Sequence, residues 1–376
     1  MYIDELHFIN FRNYEKLDLN LCNGLNIFTG NNAQGKTNVL EGIYYCSLAK
    51  SHRTSKDKEL IKWDNDSAYV SINIIRTRLD KKIEIKIFKE GKKGARINTI
   101  KINKISDLIG VFNVVMFSPE DLVIIKGSPA SRRKLLDREL CQLNPKYYYN
   151  LVQYNKVLNE RNTLLRRFKD NDLSIIEIYD TQLSRFGAYI IKERFKYIDK
   201  LNEKGKIIHG QITSNEEEIE FKYISHVQHL DNVEEELFKL LEESRRSDIE
   251  RRTTLNGPHR EDFNVYINGI NARSFGSQGQ QRTSVLTIKF SSMEIIKDLT
   301  GEYPVLLLDD VLSELDTKRQ KYILNSIQHM QTIISCTGME EINNYLPSNF
   351  KIFKVESGSI SSNVDISQLN KVYEED

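Results

Sequence analysis

The clearest chemistry in the chain lies at residues 30–37, GNNAQGKT, a complete G-x-x-x-x-G-K-[ST]. Glycines let a backbone wrap phosphates closely, and successive N–H groups then point inward as an anion nest. Gly30, Asn31, Asn32, Ala33, Gln34 and Gly35 supply that backbone. Lys36 reaches the β- and γ-phosphates of a nucleoside triphosphate, and Thr37 puts its hydroxyl on Mg²⁺. PVLLLDD at 304–310 is the natural partner: an apolar strand ending in two acids. It sets Asp309 beside the phosphate loop, where it holds Mg²⁺ through water, and Asp310 where it orients or deprotonates an attacking water. SELD at 313–316 reads alone as a helix cap, Ser313 with Asp316. A further stretch, FGSQGQQRTS at 275–284, precedes the helix-like run VLTIKFSSMEII and suggests a second helix start at which backbone N–H groups meet an anion.

The elements that must position these residues are legible as changes of period. GLNIFTG reads as a strand feeding the phosphate loop, and residues 35–49 as the helix after it. Leu17, Leu19 and Leu21 alternate with polar neighbours, as in a strand with one buried face. Val70/Ile72/Ile74, Ile83/Ile85/Ile87 and Ile97/Ile100/Ile102, separated by charged turns such as KEGKKG, predict an antiparallel meander. From residue 126 the pattern turns helical: Leu151, Tyr154, Leu158, Leu165 and Phe168, then Leu183, Gly187, Ile190, Arg194, Ile198 and Leu201, with an arginine on the apolar stripe. Asn232 with Glu235 resembles a helix cap. A brief alternation, Ile219/Phe221/Tyr223, interrupts the helices, and the lobe is too short and too interrupted for a long antiparallel coiled coil. Strand patterns return after 255 with FNVYING, PVLLLDD, TIISCTG and KIFKVES. The expected fold is therefore α/β, split as 1–125 and 255–376, with a mostly helical lobe inserted at 126–254.

Hydrophobic residues make up 39% of the chain and charged residues 28%, enough core for a globular protein to fold without staples. A net charge of +1 confines any nucleic-acid surface to a local patch. Cys22, Cys46, Cys141 and Cys336 are scattered, which argues against a zinc site or a disulfide framework and for a reducing compartment. No stretch approaches the roughly 18–20 apolar residues of a membrane span, so the expectation is a cytoplasmic protein without a membrane partner. Basic clusters at Arg132/Arg133/Lys134, Arg166/Arg167, Arg251/Arg252 and Lys89/Lys92/Lys93 are candidate DNA contacts, each weighed against a solvated face paired with nearby acids. Arg245/Arg246 lie among acids, which favours the solvated face there, and His259 with Arg260 in GPHRED reads equally as a structural corner or a contact.

A phosphate loop, then S-x-G-Q, then an apolar strand ending in acids, then S-x-L-D, occurs in that order in ABC-type ATPase heads. The long insertion between the first two resembles the split heads of SMC proteins. Within that group the chain closely resembles the RecF family of bacterial recombination mediators. The resemblance runs through FRNY at 11–14, GNNAQGKTN at 30–38, SHRTSKDKELI at 51–61, FSPEDL at 117–122 and KGSPASRRKLLD at 126–137. It continues through GPHRED at 257–262, SQGQQRT at 277–283 and LLLDDVLSELD at 306–316.

The resemblance implies an ABC/SMC-type ATPase head (lobe I) with the inserted lobe II, and a site that takes ATP and Mg²⁺. Asn38 closes the phosphate-loop motif. Ser277 and Gly279 look like the signature residues whose hydroxyl and N–H contact a γ-phosphate, with Gln280 and Gln281 supporting that loop. Asp316 resembles the aspartate at the contact between two heads, and Arg53 falls where SMC-like heads carry an arginine reaching toward nucleotide or DNA. It also implies an ATP-driven homodimer at single-strand/duplex junctions of gapped DNA, with RecO and RecR, that helps load RecA. Departures from the general ABC pattern are Asp310 in place of glutamate, Thr337 in place of a histidine, and FSPEDL without a glutamine. The shorter Asp310 predicts slow hydrolysis, as in a switch. The alternatives are a transporter ATPase subunit or other SMC-like machine, which needs a different partner, and a DNA nuclease, for which the sequence offers no second Asp/Glu/His cluster.

Overall fold

The computed structural model describes residues 1–169, 173–338 and 346–362. Two compact units divide it: residues 1–121 with 292–376, and residues 122–291.

The first unit holds two six-stranded sheets. One is an antiparallel meander of β1 (Tyr2–Phe11), β2 (Tyr14–Asn20), β4 (Ser67–Ile75), β5 (Lys81–Phe88), β6 (Gly94–Ile97) and β7 (Ile100–Ile102), in the order β2-β1-β4-β5-β6-β7. Its alternation is plain in β5, where Ile83, Ile85 and Ile87 are buried while Lys86 and Phe88 face outward. The other is parallel except at one edge, in the order β15-β14-β3-β13-β12-β8. Its members are β3 (Leu25–Thr29), β8 (Val114–Phe117), β12 (Val305–Asp309), β13 (Thr332–Cys336), β14 (Phe350–Glu356) and β15 (Ser359–Ser362). All five residues of β12 are buried, as an interior strand covered on both faces requires.

Between the sheets lies helix α1 (Lys36–Leu48), packed against β1, β4 and β5 on one side and β8, β12 and β13 on the other. Val39, Leu40, Ile43, Tyr44, Tyr45 and Cys46 are apolar round most of its circumference, which is the pattern of an internal helix. Gly42 lets it approach the meander, since a Cβ there would overlap the Phe8 ring. The phosphate loop is thus carried into the centre of the unit's core.

The second unit begins with α2 (Val123–Lys126), α3 (Pro129–Leu143), α4 (Pro145–Arg166), α5 (Leu173–Thr213) and, after β9 (Ile219–Ile224), α6 (Val233–Arg251). It continues with β10 (Asp262–Ile267), β11 (Ile270–Asn271), α7 (Ala272–Phe275) and the first turns of α8 (Gln278–Thr300). Helix α5 is longer than the interrupted pattern suggested, 41 residues. Its buried side chains recur from Ile176 to Ile212 at helical spacing and include Arg194. Asn232 does stand before α6, but its side chain makes no cap hydrogen bond.

The boundary after the helices differs from the expected 254. Strand β9, inside the helical stretch, pairs antiparallel with β10 from Ile219↔Ile267 to Ile224↔Asp262. That ladder ties FNVYING, expected in the ATPase head, to the helical unit, which extends to residue 291.

Candidate nucleotide-binding site

The phosphate loop leaves the buried end of β3 and enters α1 through Gly35, whose φ of 117° is open to glycine; a Cβ there would lie 2.5 Å from Asn13 Nδ2. No side chain caps α1, so the first-turn N–H groups keep the arrangement that binds an anion. Lys36 is 5% exposed, and its Nζ donates to the carbonyls of Gly30 (2.7 Å) and Asn31 (3.0 Å). A buried ammonium held only by backbone carbonyls, inside a loop of inward N–H groups, fits a triphosphate by charge and by donor set.

The residues of the second motif meet this loop. Thr37 Oγ1 donates to Asp309 Oδ1 at 2.9 Å, and Ser335 Oγ donates to the same oxygen at 2.6 Å. Asp309, at the end of β12, stands opposite Ser335 of β13, so three chain segments converge on one carboxylate that is 7% exposed. A hydroxyl and a buried carboxylate side by side are the donor set expected for Mg²⁺ beside phosphates. Asp310 follows at φ 53°, uncommon for a residue with a side chain, and its N–H is held by the carbonyl (3.2 Å) and hydroxyl (3.1 Å) of Ser335. It borders a cleft of about 100 Å³ lined by Leu312, Ser313, Ser335, Cys336, Thr337 and Gly338. The acid expected to handle water and Thr337, the departure from a histidine, therefore share one small space.

SELD is a cap, but not the one expected. Asp316 itself caps α9 (Thr317–Ser326), accepting from Arg319 N at 2.9 Å and pairing with the Arg319 guanidinium, whereas Ser313 Oγ donates to Asp310 O at 3.1 Å. Ser313 is thus turned back toward the acid by a local carbonyl bond, leaving Asp316 to cap the helix that follows.

Several residues that serve this site were not read as chemical from the sequence. Asn13 Nδ2 donates to Gln34 O (2.9 Å), its Oδ1 accepts from Asn38 Nδ2 (2.8 Å), and Tyr14 OH donates to Gly35 O (3.1 Å). From the other end of the chain, Ser357 N donates to Gln34 Oε1 (2.5 Å) and Gly358 N to Gln34 O (3.1 Å). The loop is clamped between the β1–β2 turn and the β14–β15 turn. FRNY was a signal, but only as part of a resemblance.

Arg53 donates to Asn38 Oδ1 at 3.0 Å and lies 3.4 Å from Glu41 Oε2, so it is tied to α1 just beyond the loop. Glu41 is fully buried and also receives both Arg12 Nε and Arg12 Nη2 and the Ser51 hydroxyl. Burial alone would raise its carboxyl, but the hydrogen bonds from Arg12 and Ser51 and the two guanidinium charges outweigh it and hold it below the usual range.

The signature stretch belongs to the second unit and starts α8. Ser277 N donates to Gln280 Oε1 (2.9 Å) and Gln280 N donates to Ser277 Oγ (3.1 Å), a reciprocal capping box. Gln281 is buried, with Nε2 donating to Ala272 O at 3.0 Å. Ser277 is exposed, and because its oxygen accepts from Gln280 its own O–H remains to donate.

The basic clusters separate sharply. Arg132 is 2% exposed, paired fork to fork with Asp262 (2.7 and 2.8 Å), and Arg133 donates to Glu261 O. Lys93 pairs with Asp57, Arg245 with Asp180 and Arg246 with Glu250. These are internal or satisfied cations. Lys89, Lys92, Lys134, Arg166, Arg167, Arg251 and Arg252 are exposed. GPHRED is a structural corner: His259 bonds Tyr154 OH (2.7 Å) and Thr254 O (3.1 Å), and burial pushes its pKa down to about 4. No group of three or more His, Cys, Asp or Glu side chains placed to hold a metal occurs among the described residues, and no described helix is long and apolar enough to cross a membrane.

An uncapped phosphate-loop helix that follows β3 of a parallel sheet, an acid-ended strand one strand removed from β3, and a capped signature helix define an ATPase head of the ABC/SMC type. Known proteins agree. The RecF/RecN/SMC N-terminal domain family matches residues 2–361. The DNA replication and repair protein RecF of Clostridium novyi is 63% identical over 361 residues, covering 96% of this chain and 100% of that protein. The protein of the same description from Clostridium acetobutylicum is 60% identical, covering 96% and 99%. A solved structure described as the recombination mediator protein RecF-ATP in the RecFOR pathway superposes with a TM-score of 0.89 at 38% identity, covering 96% of this chain and 98% of that one. An Smc head domain from Pyrococcus furiosus shares the fold, with a TM-score of 0.56 at 16% identity. The chain belongs to the RecF family, whose heads bind and hydrolyse ATP, and these relatives do not favour an ATPase subunit of a different assembly.

Proposed function

We propose that the chain is an ATP-gated DNA clamp of recombinational repair, working as a homodimer at single-strand/duplex junctions of gapped DNA. Together with RecO and RecR it would help load RecA, and it would act in the cytoplasm. The observation that carries the reading is the Thr37–Asp309 hydrogen bond of 2.9 Å, which joins residues 272 positions apart in sequence into one phosphate-and-metal donor set.

Lys36 and the N–H groups of residues 30–37 hold the β- and γ-phosphates, with Gly30, Asn31, Asn32, Ala33, Gln34 and Gly35 as cradle and Asn38 fixing the loop to Asn13. Thr37 and Asp309 would hold Mg²⁺, whose positive charge would offset the charge that develops on the transferred phosphoryl group. Asp310 orients water and accepts its proton, slowly, and DNA speeds this weak hydrolysis. Ser277 O–H and the Gly279 N–H reach the γ-phosphate of the partner chain, and Asp316 lies at the contact between heads. Arg53 leaves Glu41 to reach nucleotide or DNA.

One chain carries one phosphate loop and one signature, so two chains complete two sites. Binding energy that exists only in the dimer shifts a monomer–dimer equilibrium, and hydrolysis resets it. Functionally we keep the split-head division, residues 1–125 and 255–376 as the ATPase head (lobe I) and 126–254 as lobe II. Sedimentation with and without ATP and gapped DNA tests the reading. A shift from monomer to DNA-bound dimer that needs ATP is expected, and nucleotide-independent mass or cleavage of the DNA would overturn it.

A further inference from the structure

The signature capping box holds only while the Gln280 carboxamide keeps one orientation, and a side chain outside every recognised motif sets it. Gln280 Oε1 must face Ser277 N, which turns Nε2 outward, where it donates to Glu217 Oε1 at 2.9 Å. With the amide flipped, two N–H donors would confront each other at Ser277 and two oxygens at Glu217.

Glu217 is well placed to enforce this. It is the middle of three consecutive glutamates, and its backbone is fixed on both sides. Before it, Asn215 N closes the end of α5 on Gly210 O (2.8 Å). After it, Glu218 N donates to Asn268 Oδ1 (2.8 Å) and Glu218 O accepts from Asn268 N (2.9 Å). Its other carboxylate oxygen lies 3.4 Å from Nε2 of His209, a fully buried residue on α5. His209 Nδ1 in turn lies 2.9 Å from Thr287 Oγ1 on α8. Thr287 Oγ1 donates its own proton to Thr283 O (2.9 Å), so it accepts from His209, whose Nδ1 carries the hydrogen.

We infer that Glu217 is a positioning residue for the signature: it locks the Gln280 carboxamide so that Ser277 keeps its oxygen on Gln280 N and its O–H outward. The inference rests on the proposed role of Ser277 toward a partner's phosphate. Glu217 itself touches no nucleotide. The same link makes the end of the 41-residue helix α5 part of the signature's support, so a displacement of that helix is transmitted to Ser277 through one carboxylate.

The test uses the full chain with Glu217→Ala, Glu217→Gln and, as reference, Ser277→Arg. In the absence of nucleotide, hydrogen exchange at the Ser277 and Gln280 amides is expected to accelerate roughly tenfold in Glu217→Ala, the worth of about one hydrogen bond. Glu217→Gln should exchange at nearly the wild-type rate, since its Oε1 still accepts from Gln280 while its amide nitrogen faces His209 Nε2. In ATP-dependent dimerisation, Glu217→Ala should raise the dissociation constant about tenfold and Glu217→Gln should restore it. Wild-type exchange at Ser277 and Gln280 in Glu217→Ala overturns the inference, whatever the dimer does. Wild-type dimerisation of Glu217→Ala, with Ser277→Arg failing to dimerise, overturns it too. If Ser277→Arg also dimerises normally, the cross-chain role of the signature falls, and the exchange rates alone decide the positioning.

Discussion

At the start of α1 no side chain caps the helix, and Gly35 enters it with a φ of 117°; at the start of α8, Ser277 and Gln280 cap each other. Both helix ends present N–H groups suited to phosphate, yet one is left for its ligand and the other is finished beforehand. The surroundings explain the contrast. The α1 end is clamped by Asn13, Tyr14, Gln34, Ser357 and Gly358 and sits on a helix buried between two sheets, so it holds its shape without a cap. The α8 end is exposed at Ser277, and an exposed helix start without a cap loses on the order of 1 kcal/mol and frays. On the proposed reading, a half-site that waits for a partner needs its own closure. A half-site that binds first does not.

The largest effect that would break this comparison is at Lys36. Lys36→Ala should lower ATP affinity by on the order of a hundredfold, as expected for loss of a buried charge-assisted contact, and with it all ATP-dependent association. Unchanged affinity in an equilibrium binding assay would remove the phosphate-loop half from the account. Ser277→Arg should do the opposite: ATP binding to the single chain is preserved, while sedimentation finds no ATP-dependent dimer. Asp310→Asn should slow single-turnover hydrolysis by roughly a hundredfold and leave the dimer trapped on DNA; rapid turnover by this variant excludes Asp310 as the water-positioning acid.

The smallest effects separate the units by acid. Burial leaves His259, in the second unit, with a pKa of about 4, so the unfolded chain takes up its proton first. Its contribution to stability is complete above about 6.5 and is lost as pH falls toward about 4. In the first unit burial would raise Glu302, but the Thr77 N–H and hydroxyl and the Arg76 guanidinium overcome it and bring the carboxyl to about 2. That contribution is complete above about 4.5 and is lost as pH falls through about 2. The stability gap between wild type and His259→Gln should narrow between pH 6.5 and 4, and that for Glu302→Gln only below 4.5. A gap that narrows in the other's window contradicts the assignment.

The meeting of the phosphate loop with the acid-ended strand was largely legible, because a phosphate loop, an all-apolar strand and paired acids are local patterns whose pairing follows from chemistry. The stretch at 277–283 was noticed through resemblance, and its S-x-x-Q spacing was a cap that went unread. What the sequence hid is set by distant partners. Arg132 stands in a run of three basic residues, yet its partner is Asp262, 130 positions on. Arg194 was noticed on an apolar stripe, but only the fold supplies Asp137 and Pro258 O to satisfy it. The β9–β10 ladder was hidden for the same reason, since the two strands find each other across helix α6.

The central claim, that each ATP site is completed by the other chain, is tested most directly by mixing two defective chains. Lys36→Ala lacks one half-site and Ser277→Arg lacks the other, so neither alone should form an ATP-dependent dimer. In a mixed dimer, the intact phosphate loop of the Ser277→Arg chain meets the intact signature of the Lys36→Ala chain. Sedimentation of the mixture with ATP and gapped DNA should therefore recover a dimer that appears in neither separate sample. A mixture that sediments as the sum of its two components contradicts the claim.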